Sequence, residues 1–285
     1  MLLNQGARRL GRGCARVPAP ATARCHAAAA LSSTTAAAPS SGETRYEALK
    51  QRLLALETTV VCDADKANQA AHPTGLATLQ VLDPAIYPLQ SSGDLKMVGI
   101  ARTVSARQEE FLTVLHALAE AQPGEVLMID AGGAKRAKCG EIFATAALQQ
   151  GLAGIVVDGA ARDSALIREL PLPYFVRSIT PVAGSTSDAY GETQVTVTVG
   201  GCTVSPGDVV FGDADGVLIG TLEAFEAIVE TAEIVADVED KLMRALTDGG
   251  GSRIAKDLTQ LSNVAEHVEK VRRGEKSSLQ FHGFD

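Results

Sequence analysis

Two carboxylates and one guanidinium stand out in this chain because they occupy loop and helix-start positions, where side chains meet ligands. Glu141 follows Gly140 at the start of a segment with Phe143, Ala146 and Ala147 at helical spacing. Arg162 and Asp163 follow the apolar run Ile155–Val157 and the pair Asp158-Gly159. An acid, a guanidinium and a second acid in one place can hold a divalent cation, pair with an anionic substrate and move a proton. The same three groups could instead form a structural ion pair. Asp163 would then cap the short segment after it, and Glu141 would face the first-turn amides of its own helix.

The surrounding stretch sets the geometry. Val126–Ile129 reads as a strand ending at Asp130 and the pair Gly132-Gly133. A basic loop carries the chain to Gly140, a helix closes at Gly151, and a second strand over 155–157 leads to Arg162-Asp163. In α/β folds the loops just past strand ends are where ligands gather. Lys135 and Lys138 of the basic loop are expected to face solvent or attract an anionic substrate.

Around this unit the pattern predicts a short helix from Tyr46, a capped helix from Thr58, a strand over 97–106 and a helix over 111–121. Short strands follow at 173–178, 195–199, 202–204 and 209–211, then a long amphipathic helix over 221–246 and a last helix from Ile254 to about Val268. Asp213-Ala-Asp215-Gly216 reads as a turn between strands, because its glycine comes too early for a calcium loop and no Glu closes it. The glycine pairs match neither a dinucleotide fingerprint nor a phosphate loop. The histidines lack metal spacing and no serine sits in a nucleophile elbow.

Composition limits the classes of function. The apolar fraction is 46% with no Trp, which suits layered packing of Ala, Val, Leu and Ile and excludes a wholly disordered chain. Residues 1–42 hold five Arg and no acid, the composition of an organellar transit peptide for chloroplast or mitochondrion, and are expected to be disordered. Setting those five aside from the net charge of -8 leaves -13 on residues 43–285, which argues against nucleic acid as a partner. No apolar run reaches the roughly 18 residues of a membrane span. Cys62, Cys139 and Cys202, odd in number and without C-x-x-C spacing, do not make a disulfide framework.

The strings VGIARTV, PGEVLMIDAGG, GIVVDGAARD and VGGCTVSPGDVVFGDADGVLI, together with an acid separated by twenty residues from Arg-Asp, resemble the RraA-like family. Its enzymatic branch comprises class II pyruvate aldolases acting on 4-hydroxy-4-methyl-2-oxoglutarate. The resemblance covers about residues 55–245 and implies an αββα sandwich of the swivelling phosphohistidine-domain type, in a domain expected over 43–250; the helical extension and loose tail expected at 251–285 reach beyond the shorter family members. It also implies assembly as a homotrimer or hexamer with shared sites. Asp163 would be the ligand of magnesium or manganese, and Arg162 would contact the oxygens of a small anionic 2-oxo acid. Gly140, Glu141, Ile142 and Phe143 would receive the substrate carboxylate on their backbone, Glu141 would orient water on the metal, and Glu239 of a neighbouring subunit could add a carboxylate. The implied reaction is retro-aldol cleavage to two pyruvates, with oxaloacetate decarboxylation as a side activity. The alternative is the family's non-catalytic role as a protein-binding regulator of a ribonuclease. One departure from the family pattern is Ala134, where an acid often follows the glycine pair.

Overall fold

The computed structural model describes residues 43–71, 78–90, 95–106, 109–186, 190–248, 262 and 264–275. The expected leader at 1–42 and most of the expected extension at 251–285 lie outside these residues. In chain order the elements are α1 (Glu43–Leu54), α2 (Thr58–Ala71), β1 (Gln80–Val81), β2 (Tyr87–Pro88), β3 (Met97–Ser105), α3 (Leu112–Glu120), β4 (Glu125–Asp130) and β5 (Ala137–Cys139). They continue with α4 (Glu141–Gln149), β6 (Gly154–Ala161), α5 (Ser164–Ile167), β7 (Tyr174–Ile179), β8 (Glu192–Thr193), β9 (Val197–Val199) and β10 (Cys202–Val204). Last come β11 (Val209–Asp213), β12 (Gly216–Gly220), α6 (Leu222–Asp248) and α7 (Val264–Arg272).

One ten-stranded sheet runs in the order β1-β12-β11-β3-β4-β6-β7-β2, with β5 paired to β6 and β8 paired to β3. Its centre, β3-β4-β6-β7, is parallel, while β11, β12 and β1 extend one side antiparallel. Parallel strands are covered on both faces, which is why β4 and β6 read as continuous apolar runs and not as alternation. On the outer face, Val104, Leu127, Ile129, Ile155 and Val157 pack with Val114, Ala117, Phe143 and Ala147 of α3 and α4. Val98, on the same face of β3 as Val104, joins Val209, Phe211 and Leu218 against α1, α2 and α6. The inner face, with Ala101, Val126, Met128, Val156 and Phe175, is filled by Val197, Val199 and Val204 of the β9–β10 hairpin. The expected sandwich is thus realised as a curled sheet with helices outside and a hairpin inside.

Polar ties fix the layers. Arg177 of β7 donates from Nε to Asp158 Oδ1 at 2.5 Å and from Nη1 to Asp83 Oδ2 at 2.8 Å, while Asp158 Oδ2 accepts the Gly200 N–H at 2.7 Å. The turn of the inner hairpin is thereby pinned to the centre of the sheet. Asp213 caps α2, taking the Thr58 N–H and hydroxyl at 2.7 Å each, and also accepts the Asp215 N–H of its own turn. That turn joins β11 to β12, as the sequence indicated.

Two expectations change. The basic loop before Gly140 contains β5, three residues paired to β6, so the chain approaches the candidate site as a strand. The described part of the last helix begins at Val264 and runs to Arg272, past the expected end at Val268, while 254–261 lie outside the described residues. Among the described residues no helix is long and apolar enough to cross a membrane.

Candidate active site

The site grows out of the β5–β6 pairing. Ala137 lies opposite Ala160 and Cys139 opposite Ala161, so the segments that begin at Gly140 and Arg162 leave the sheet side by side. The Arg162 N–H donates to the Cys139 carbonyl at 3.1 Å, extending the pairing to the site itself. Gly140 occupies the N-cap position of α4 in extended backbone and offers no side chain to the helix end. Intrahelical bonding starts with the Ala144 N–H on the Gly140 carbonyl at 3.0 Å, so the amides of residues 141–143 precede the ladder and give this end its positive character.

Asp163 holds φ 56° and ψ 32°, a left-handed conformation that Asp tolerates better than most residues at a cost on the order of 1 kcal/mol. It stands at the N-cap position of α5, yet its carboxylate makes no cap bond to that helix. Instead Oδ2 accepts the Glu141 N–H at 3.2 Å and lies 3.4 Å from Arg162 Nε. The expected cap on the following segment is therefore not formed. A Cβ on Gly140 would overlap Asp163 Oδ2 and sit 3.0 and 3.1 Å from Arg162 Cγ and Nε. Glycine leaves room here for the Asp163 carboxylate as placed, and the backbone itself is ordinary.

A cleft of about 280 Å³ opens at this point, and Gly140, Ile142, Phe143, Arg162 and Asp163 all line it. Five of the six expected site residues are thus brought together. Glu141 reaches the group through its backbone N–H, and its side chain is not part of the lining. Arg162 and Asp163 keep 42% and 38% of their side chains exposed, open enough to meet a ligand. Glu239 is exposed on α6, the helix packed against α1 and α2.

Lys138 requires a correction. It is only 2% exposed and lines the cleft, with Nζ donating to the Glu110 carbonyl at 2.7 Å, whereas Lys135 does face solvent. Burial pushes the Lys138 ammonium below its usual range, against the pull of Glu110 and Glu109. Cys139 also lines the cleft, but burial pushes its thiol up to about 12, which makes it a poor nucleophile. Phe111, at the N-cap of α3, and Leu115 and Leu118 of α3 also line the cleft, at i, i+4, i+7. In sequence that stripe looks like core, and only Leu118 of the three is buried.

Among the described residues no group of three or more His, Cys, Asp or Glu could hold a metal ion. The donor set is one carboxylate, Asp163, beside an open cleft. That excludes a closed structural zinc site of Cys and His, and it fits a hard cation that keeps water or substrate oxygens as its other ligands.

Residues 58–219 match the family model described as RraA-like: Aldolase/RraA. The chain belongs to the RraA-like family. A relative from Halalkalibacterium halodurans, named "Putative 4-hydroxy-4-methyl-2-oxoglutarate aldolase", is 37% identical over 168 residues, covering 59% of this chain and 79% of the relative. A protein of the same name from Burkholderia multivorans is 36% identical over 163 residues, covering 57% and 94%. Among solved structures, RraAS2 of Streptomyces coelicolor, described as an unusual member of the RNase ES inhibitor RraA protein family, is 28% identical with a TM-score of 0.58, covering 69% of this chain and 98% of that one. An uncharacterized Pseudomonas syringae protein has a TM-score of 0.60 at 22% identity, covers 74% and 96%, and shows the fold alone. This RraA-like chain therefore has relatives named for aldol cleavage and relatives named for inhibiting a ribonuclease.

Proposed function

We propose that this RraA-like protein is a divalent-metal-dependent lyase that cleaves 4-hydroxy-4-methyl-2-oxoglutarate to two pyruvates and decarboxylates oxaloacetate as a side activity. The supporting observation is the Asp163 carboxylate, turned away from the helix it could cap and into a cleft beside Arg162, on a strained backbone. The carboxylate takes the first-turn Glu141 N–H of α4 while lining the cleft, and backbone strain held at a cleft supports a functional role. The names of the two bacterial relatives point the same way.

In this reading Asp163 holds magnesium or manganese, and the ion when bound supplies Lewis acidity toward the charge that develops on a 2-oxo acid as its C3–C4 bond breaks. Arg162 places its planar fork against substrate oxygens and offsets enolate charge. The Ile142 and Phe143 amides, ahead of the α4 ladder, face an anionic carboxylate. Glu141, on the first turn of α4, orients the water that takes the C4 hydroxyl proton as the second pyruvate leaves as the new carbonyl, and that proton then goes to C3 of the enolate to give the first pyruvate. The enolate left by oxaloacetate on losing carbon dioxide needs the same stabilisation. Assembly in threes, with a neighbouring subunit adding a carboxylate such as Glu239, belongs to the same proposal and is read by light scattering.

The test is pyruvate release from 4-hydroxy-4-methyl-2-oxoglutarate with magnesium and with chelator, on the wild type, Asp163→Asn and Arg162→Lys. Asn accepts the left-handed backbone and nearly matches Asp in shape, so fold and Tm should hold while turnover falls about a hundredfold or more, the loss of one preorganised contact worth on the order of 3 kcal/mol. Arg162→Lys should lose most activity because a point charge cannot replace a fork. Full activity in Asp163→Asn would end the assignment. Ribonuclease inhibition without pyruvate release would favour the regulatory reading.

A further inference from the structure

We infer that Lys138 is the second cation of the cleft and sets its preference for doubly charged over singly charged 2-oxo acids. The inference rests on the proposed binding of a 2-oxo acid at Arg162 and Asp163, and it gives a residue to the part of that substrate which the proposed reaction leaves without one. Both 4-hydroxy-4-methyl-2-oxoglutarate and oxaloacetate carry a second carboxylate. The head carboxylate has the α4 amides, while the far one brings another negative charge into the same cleft.

The charged lining residues are Lys138, Arg162 and Asp163. Lys138 reaches the lining from β5, two residues before Gly140, and is 2% exposed with Nζ donating to the Glu110 carbonyl at 2.7 Å. Burial disfavours its charge, and the carboxylates of Glu110 and Glu109 favour it. Glu110 is itself fully buried; its Oε2 accepts the Thr113 N–H at 3.0 Å, and its Oε1 has no hydrogen-bond partner among the described residues. The positive member of this buried group lines the cleft, and neither glutamate does.

A buried charge costs stability, and an apolar side chain of similar volume fills such a wall without loss. What the lysine adds is its field. Charges held out of water are screened less than surface charges, so the ammonium acts on an anion in the cleft without touching it. Coulomb energy is proportional to the charge of the ligand. Removing the lysine therefore costs a dianion about twice what it costs a monoanion on a logarithmic scale of affinity. A lysine that only braced the wall against Glu110 would treat the two ligands alike.

The experiment is calorimetric titration of the full chain with magnesium, using 2-oxopentanoate and 2-oxoglutarate, whose chains are equal in length and end in a methyl group and a carboxylate. The wild type should favour 2-oxoglutarate. Lys138→Met should weaken 2-oxopentanoate about threefold and 2-oxoglutarate about tenfold, the square of the first factor. Lys135→Met, which removes an equal charge from the exposed part of the loop, should move neither. Because Lys138→Met leaves the Glu110 carboxylate buried without this cation, the double variant Lys138→Met/Glu110→Gln is titrated beside it, and the dianion should again lose more than the monoanion. Equal weakening of the two probes, no change in either, or the same pattern in Lys135→Met overturns the inference. Charge-dependent losses without pyruvate release from 4-hydroxy-4-methyl-2-oxoglutarate remove the proposed reaction and leave the inference standing. Binding of neither probe to the wild type removes both.

Discussion

Gly140→Ala tests the geometry of the site by adding one methyl group. The backbone at Gly140 is extended, φ -142° and ψ -164°, so alanine brings no conformational strain. Its Cβ would overlap Asp163 Oδ2 and crowd Arg162 Cγ and Nε at 3.0 and 3.1 Å, tighter than ordinary contact. The Asp163 carboxylate must then swing off the Glu141 N–H. Both side chains are roughly two-fifths exposed, so they can retreat toward water, and the stability cost should stay near the low end of overpacking, about 1 kcal/mol. Misplacing a reacting group by about 1 Å costs on the order of a hundredfold in rate. Pyruvate formation, followed by coupled oxidation of NADH across a magnesium series, should therefore fall about a hundredfold and shift to higher magnesium, with Tm changed by only a few degrees. Wild-type turnover in this variant would refute the placement of Asp163 as the metal ligand. A loss of activity that merely tracks the unfolded fraction would refute the steric argument.

Two further outcomes concern the fold. Arg177→Met removes both donors to Asp158 and Asp83 and leaves Asp158, whose side chain is 16% exposed, holding the Gly200 N–H without its guanidinium partner; we expect a loss of about 1–2 kcal/mol in urea unfolding with metal affinity unchanged, and an unaltered midpoint would show that the hairpin needs no such pin. For pH, the native Cys139 thiol, pushed up to about 12 by burial, keeps its proton where the unfolded thiol, with an ordinary value near 9, releases it. The unfolded chain then binds fewer protons, so stability should fall as pH rises from about 9 toward 12, by up to roughly 1.4 kcal/mol per unit for this group, with the buried Tyr174 phenol adding in the same direction. Unfolding midpoints at pH 8, 9 and 10 read the slope, Cys139→Ala should flatten it, and no slope in the wild type would contradict the burial.

The parts of the fold legible in sequence are those where one local signal sets one element. β4 and β6 appear as unbroken apolar runs because strands covered on both faces need no polar side, and Gly151 marks the end of α4 through its positive φ of 80°. β5 was illegible, since three residues that include a lysine carry no periodic signal and its partner strand lies some twenty residues on. The burial of Lys138 was hidden for a related reason: its acceptor is the Glu110 carbonyl, 28 positions away, and only tertiary contact brings that oxygen within reach. At the site, residue types and spacing were legible, and the conformation was not. Nothing in the string GAARDSA says that Asp163 enters the left-handed region and turns its carboxylate from one helix to another.

The twenty-residue spacer between Glu141 and Arg162 has a structural origin that bears on how function should be read from it. β5 and β6 are adjacent and parallel, so the chain must cross over between them, and α4 with the Gly151 turn is that crossover. Nine helical residues carry the chain back by about 14 Å, and the eight residues of β6 return it to the end where it started. The spacing is thus what a βαβ unit of this size requires, and any protein with this fold has reason to preserve it whether or not it cleaves a substrate. The side chains placed at its two ends answer to different demands. A regulator that docks on a ribonuclease needs neither a carboxylate aimed into a cleft nor a glycine that makes room for it. The case for catalysis in this chain therefore rests on Gly140, Arg162 and Asp163 as chemical groups in contact, and the interval that separates them in sequence carries only the fold.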